Sequence, residues 1–151
     1  MKLAEALAER SDCQKRLEVI KSRLADSARI QEGEEPVEDP NELLAEADRA
    51  YGRLLTLISA INRTNSRSEF DTERSISDAI AERDVIGKRR DFLLGVSESG
   101  TSRWDRISRS EVRYVMTVPV KELRAQADKL AKRYRELDLQ IQELNWKTDL
   151  I

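Results

Sequence analysis

Apolar residues recur at three- and four-residue steps along three long stretches of this chain, the pattern of amphipathic helices. Leu3, Ala6, Cys13, Leu17, Ile20 and Leu24 lie on one stripe of a helix predicted from about Leu3 to Ile30, with Arg10 as its single charged interruption. Gly33 can take the left-handed conformation that ends a helix, and Pro36 blocks continuation. After an acidic connector, Asp39, Pro40 and Glu42 give a start signal: a capping carboxylate, a proline at the first helical position and a D-x-x-E box. Leu44, Ala47, Tyr51, Leu54, Ile58 and Ile61 then follow an a/d heptad, and Leu43, Ala50 and Leu57 add a third apolar column. This predicts a second helix over about 40–62, wide-faced enough to be the central one. A last helix, about 119–146, opens near Pro119 and carries Leu123, Ala127, Leu130, Tyr134, Leu137, Ile141, Leu144 and Thr148 in the same pattern.

The intervening region is less regular. Polar residues dominate from Asn62 to Arg74, which predicts the end of helix two and an irregular or partly extended segment. Ser75 and Asp78, or Ser77, can cap a third, shorter helix that carries Ile76, Ile80, Ile86, Phe92, Leu93 and Val96 and ends around Ser97 to Gly100. Glu111 to Val118 alternates, with Val112, Tyr114, Met116 and Val118 on one face, the one stretch that reads as a strand. Such a strand must pair, with the Ser66 to Arg74 segment or with another subunit. The expectation is a mainly all-α fold: an antiparallel bundle of long heptad-patterned helices with a shorter helix and a small β excursion. It would form one domain over residues 1–151, with a subdomain at about 63–118.

Composition supports helices and removes chemistry. The 151 residues are 37% charged and only 5% aromatic, with five glycines and three prolines, too few for the turns of an all-β domain. Lys plus Arg (27) nearly balance Asp plus Glu (29), so the net charge of −2 argues against a dedicated nucleic-acid binder. There is no histidine, which eliminates Ser-His-Asp and Cys-His nucleophiles and the usual zinc and di-iron ligand sets. Cys13 is the single cysteine and reads as a small hydrophobe. The acidic cluster Glu32, Glu34, Glu35, Glu38 and Asp39 lacks calcium-loop spacing and reads as a solvated connector. No phosphate-cradling or nucleophile-elbow motif occurs. No catalytic, cofactor-binding or metal-ligating residue is therefore assigned, and no cofactor is expected. The opening residues carry glutamates every few positions, unlike a signal peptide, and no apolar run reaches the length of a membrane span, so the chain is expected to be cytoplasmic.

Two surfaces stand out. Asn62, Arg63, Thr64 and Asn65 close helix two, and Asn145, Trp146, Thr148 and Asp149 close the last helix. These residues either satisfy helix termini or form a small polar pocket in which Arg63 holds an anionic ligand. Trp146 falls at an f position, away from the last helix's seam, and with Tyr114 and Val112 it makes a candidate interface for a homo-oligomer. The basic residues Lys88, Arg89, Arg90, Arg103, Arg106, Arg109 and Arg113, with Trp104 and Tyr114 for stacking, are largely neutralised by nearby acids and read as a mixed-charge face.

The segments MKLAEAL, RIQEGEEPVEDP (Arg29 to Pro40), INRTN (Ile61 to Asn65), SRSEVRYV (Ser108 to Val115) and IQELNWKTDL (Ile141 to Leu150), taken in order, resemble the small bacterial family known as septicolysins. That name implies a cytolysin, but the resemblance provides no catalytic residue, and the chain has no apolar hairpin or lipid-facing strand pattern to support lysis. The sequence thus points to a self-associating structural or interaction protein. The alternative is a metal-independent small-ligand binder or enzyme with a polar pocket at helix ends.

Overall fold

A computed structural model describes residues 1–100 and 114–151. The chain is an all-α helical bundle, with 77% of the described residues in four helices. These are α1 (Leu3–Ser27), α2 (Pro40–Arg67), α3 (Ile76–Gly100) and α4 (Val120–Lys147). They belong to two compact units: Met1–Glu69 with Glu143–Ile151, and Phe70–Gln142.

In the first unit α1 packs on α2 as a helical hairpin. The predicted α1 stripe is the buried one, with Leu3, Ala6, Leu17 and Ile20 removed from solvent. Arg10 keeps its Nε buried with no hydrogen-bond partner among the described residues, while its stem fills the seam. The helix stops at Ser27, three residues before the expected end, because its buried face ends there and Ile30 is exposed. Gly33 does adopt a positive φ of 91°, but within a turn closed by the Glu34 amide on the Gln31 carbonyl, not as the helix's own terminator. The start of α2 is as the sequence predicts: the Asp39 carboxylate accepts from the Asn41 amide at 2.8 Å, beside Pro40.

The face of α2 that is buried differs from the expected one. Leu43, Ala50, Leu57, Ile61 and Thr64 are buried, whereas Leu44, Tyr51 and Ile58 are 52%, 59% and 36% exposed. The supposed third column is the seam, and half of the a/d column is left outside, with Ala47 and Leu54 half-buried and Ile61 buried. Both columns have seven-residue spacing, so periodicity alone cannot choose between them. Thr64 carries the buried column on into the polar end of the helix, where its hydroxyl accepts from the Ile151 amide. α2 also continues five residues past the expected end at Asn62, to Arg67. Its polar last turns are held by Thr64 Oγ1 donating to the Ala60 carbonyl and Ser66 Oγ donating to that of Asn62.

The end of α4 and the residues after it complete this unit through backbone stitching. The Leu3 amide donates to the Thr148 carbonyl at 2.9 Å, the Leu150 amide to that of Met1, and the Ile151 amide to Thr64 Oγ1. Lys2 Nζ adds an ion pair with Asp149 at 2.8 Å.

In the second unit, Ser75 and Asp78 cap α3 reciprocally: the Asp78 amide donates to Ser75 Oγ, and the Ser75 amide to the Asp78 carboxylate. α3 starts and ends where expected, but at 25 residues it equals α1 in length and is not a shorter helix. Its core contains Ala79 with Leu137 and Ile141 of α4, flanked by Phe70, Ile80 and Ile86. Gly87 is buried beneath the Tyr134 ring, where an added Cβ would lie 3.2 Å from a ring carbon. Arg83 joins Asp138 across the pair at 2.8 Å. The expected strand lies partly outside the described residues. Tyr114 to Thr117 carries no regular structure, and Ser66 and Arg67, assigned to its pairing partner, are helical.

Candidate functional site

The hairpin of the first unit holds the most distinctive surface, because its two helices are locked by charge on one side and left apolar on another. Arg53 on α2 donates through Nε and Nη2 to Glu9 of α1 at 2.6 and 2.7 Å, a bidentate pair. Arg16 reaches Glu46 at 2.9 Å, and Arg23 bonds Glu38. These bonds hold the Glu9 and Glu38 carboxyls below the ordinary glutamate value, the arginine hydrogen bonds outweighing partial desolvation. A cleft of about 350 Å³ between the helices is lined by the Arg53–Glu9 and Arg16–Glu46 pairs with Asp12, Cys13, Arg49 and Ala50. Its arginines are neutralised by its carboxylates, so the cleft has little charge left for a ligand.

Elsewhere on α2 the surface is apolar. Leu44, Tyr51, Leu55 and Ile58, exposed by 36% to 68%, share one face at steps of seven, four and three. A groove of about 380 Å³ borders it, lined by Tyr51 and Leu54 with Lys15, Leu17 and Glu18 of α1. Gly52 on the adjacent flank opens onto free space. Asp48 interrupts the face between Leu44 and Tyr51, Arg63 lies beyond its C-terminal end, and neither makes an ion pair among the described residues. Only the first half of α2 is acidic, through Glu42, Glu46 and Asp48; after Asp48 every charged residue is arginine.

The residues singled out from sequence are placed as follows. Asn62 and Arg63 are exposed, and Asn65 and Asn145 half-buried. None of the four lines either cleft above. The buried polar residue at this end of α2 is Thr64, which the sequence places in the same cluster and which sits on the apolar column taken as secondary. Trp146 is 65% exposed, in keeping with its f position, and Tyr114 is 64% exposed. Val112 lies outside the described residues, as do Arg103, Trp104, Arg106, Arg109 and Arg113. Arg90 pairs with Asp91 at 2.7 Å and lies 5.3 Å over the Tyr134 ring, which assigns it to packing. The acidic connector is dispersed, with Glu38 on Arg23 and Asp39 capping α2. No group of three or more carboxylate or thiol side chains is placed to hold a metal among the described residues.

A family model described as a family of unknown function, DUF6847, matches residues 10–150, and the chain belongs to that family. A crystal structure of a functionally unknown conserved protein from Corynebacterium diphtheriae is 44% identical to it, with a TM-score of 0.95 over 100% of this chain and 99% of that one. No curated protein matches the chain. These matches overturn the septicolysin resemblance, since neither bears that name. INRTN and ELNWKTDL, which carried it, are the closing turns of α2 and α4, where Asn, Thr and Asp recur for local hydrogen-bonding reasons and discriminate families poorly.

Proposed function

We propose that this member of DUF6847 is a self-associating helical-bundle protein whose role is structural or interactive rather than catalytic. The observation that carries the reading is the exposed apolar face of α2, formed by Leu44, Tyr51, Leu55 and Ile58. Single exposed apolar residues are ordinary, but Tyr51, Leu55 and Ile58 follow one another along one face of one helix, with Leu44 two turns earlier past Asp48, a cluster of the kind that marks an interaction site. The helix commits its other apolar column to α1, and so carries more apolar surface than its own hairpin requires. Exposed Trp146 supplies a further apolar anchor.

The small-ligand alternative would use Arg63 with Asn62, Asn65 and Asn145. It has an unpaired cation in its favour, but none of the four lines either cleft of the hairpin, where an anion could be removed from water. No helix among the described residues is long and apolar enough to cross a membrane. Sedimentation velocity over a concentration series tests the reading. The wild-type chain is expected to associate at tens of micromolar, and Leu44→Glu with Leu55→Glu to sediment as a monomer with unchanged helicity. A wild-type monomer throughout that range refutes it.

A further inference from the structure

The second unit carries a surface of its own, on the outer side of α3, and it does not depend on the α2 face. Ala79, Gly87 and Leu93 are buried on one side of that helix. On the opposite side Val85 and Phe92 are 62% and 68% exposed, seven residues or about 10 Å apart along the axis. Lys88 and Arg89 stand between them. Each is three residues from one and four from the other, the spacing of neighbours on a helix surface. The four side chains therefore form one cluster, two cations bracketed by two apolar groups.

The charge balance separates this cluster from an ordinary solvated face. The acids beside Lys88 at i−4 and i+3 are Asp84 and Asp91, and they are turned onto Arg83 and Arg90 at 2.8 and 2.7 Å. Glu82, two turns before Arg89, is bonded by Arg74 and by Arg133 of α4, and Asp78 is bonded by Ser75. Lys88 and Arg89 make no ion pair among the described residues, and neither does Lys129, one turn from Arg133 on the stripe of α4 that reaches Glu82. Glu122, the unpaired acid on that stripe, lies seven residues before Lys129, about 10 Å away. The acids of α3 up to Asp91 are thus committed within the chain, and the cluster presents positive charge beside apolar surface.

We propose that the outer face of α3 docks an acidic amphipathic helix of a partner protein, one with two apolar residues seven apart and carboxylates in the turn between them. Such a helix repeats the spacing of α3 itself, so its apolar side chains seat beside Val85 and Phe92 while its carboxylates meet Lys88 and Arg89. An anionic bilayer fits less well. Interfacial helices need an extended apolar face, and this cluster has two apolar groups with Asp84 and Asp91 alongside. Nucleic acid also fits less well, because the net charge of −2 provides no long-range attraction and the free cations are few.

The probe is a labelled alanine-based helix of about 18 residues, with leucines seven apart and glutamates three and four residues after the first leucine. Fluorescence anisotropy with the full chain is expected to show saturable binding at about 10–500 μM, the affinity of a small transient contact. Lys88→Glu with Arg89→Glu is expected to weaken it about tenfold or more, and Phe92→Ala about fivefold or more, both with unchanged helicity. The charge-reversed protein is in turn expected to bind the same peptide with lysines in place of its glutamates. Leu44→Glu with Leu55→Glu, which disables the α2 face, should bind the acidic peptide as the wild type does. Peptide binding that ignores the reversal at Lys88 and Arg89 would overturn the inference, as would an absence of saturation up to about 1 mM. Phosphatidylserine vesicles that bind the wild type through the same residues, without peptide binding, would assign the face to a membrane and overturn it as well.

Discussion

Replacing Leu57 and Leu55, two residues apart on α2, separates the buried column from the exposed one. Leu57 is 1% exposed and Leu55 68%. Truncating a fully buried leucine to alanine removes its transfer free energy and leaves a cavity, at a cost of about 3 kcal/mol within a range of about 2–5. For a chain of this length each kcal/mol moves the melting temperature by roughly 2–4 °C, so Leu57→Ala is expected to lower it by about 6–12 °C. Leu55→Ala deletes atoms that are already largely hydrated and should cost no more than about 0.5 kcal/mol. Ile58→Ala, only 36% exposed, falls between the two. Thermal and urea unfolding followed by far-ultraviolet circular dichroism measure all three. Dilute protein, about 1 μM, keeps association from adding its own stabilisation. At high concentration Leu55→Ala, and to a smaller extent Ile58→Ala, is expected to lose the concentration-dependent rise in melting temperature expected of the wild type, whereas Leu57→Ala keeps it. Equal losses for Leu55→Ala and Leu57→Ala in dilute solution would refute the division of α2 into a seam and a free face, and with it the argument for association.

Arg10→Met should raise stability by about 1 kcal/mol, because it keeps the stem in the α1 seam and removes a buried donor that has no partner; calorimetry showing a lower melting temperature would refute that account. Gly87→Leu should destabilise by about 1–3 kcal/mol through overpacking, since even a Cβ would lie 3.2 Å from the Tyr134 ring that Arg90 covers, and an unchanged melting temperature would mean that the ring moves aside freely. Acid should weaken the fold in a predictable direction. Hydrogen bonds from Arg53 to Glu9, Arg74 to Asp71, Ser75 to Asp78 and Lys2 to Asp149 hold these carboxyls below their ordinary values. Their contribution is therefore complete above the unfolded carboxyl range and lost as pH falls through the lowered folded values, so the urea midpoint should be flat from pH 7 to 5 and drop below about pH 4. A midpoint that rises on acidification through that range would contradict the pairing.

Much of the helical layout was legible because it depends on local chemistry. Asp39-Pro40 and the Ser75/Asp78 pair mark their helix starts through side chains that bond backbone amides within three residues, and such signals need no knowledge of what lies across the core. The seam of α4 was legible for a different reason. Only one apolar stripe is available to it, and Ala127, Leu137 and Ile141 are buried where that stripe predicts. α2 offered two stripes, and nothing in its sequence ranks them: Leu43, Ala50 and Leu57 are as regular as Leu44, Tyr51 and Ile58. The choice is made across the hairpin, where α1 also supplies the pairs Glu9–Arg53 and Glu46–Arg16 that fix the helix's rotation. Rotating α2 to bury Tyr51 and Leu44 instead would carry Arg53 and Glu46 away from those partners while bringing the charged Asp48 toward the core. The apolar face that remains outside is then a consequence of satisfying the charges, and the same ambiguity that misled the sequence reading locates the surface on which the proposed association rests.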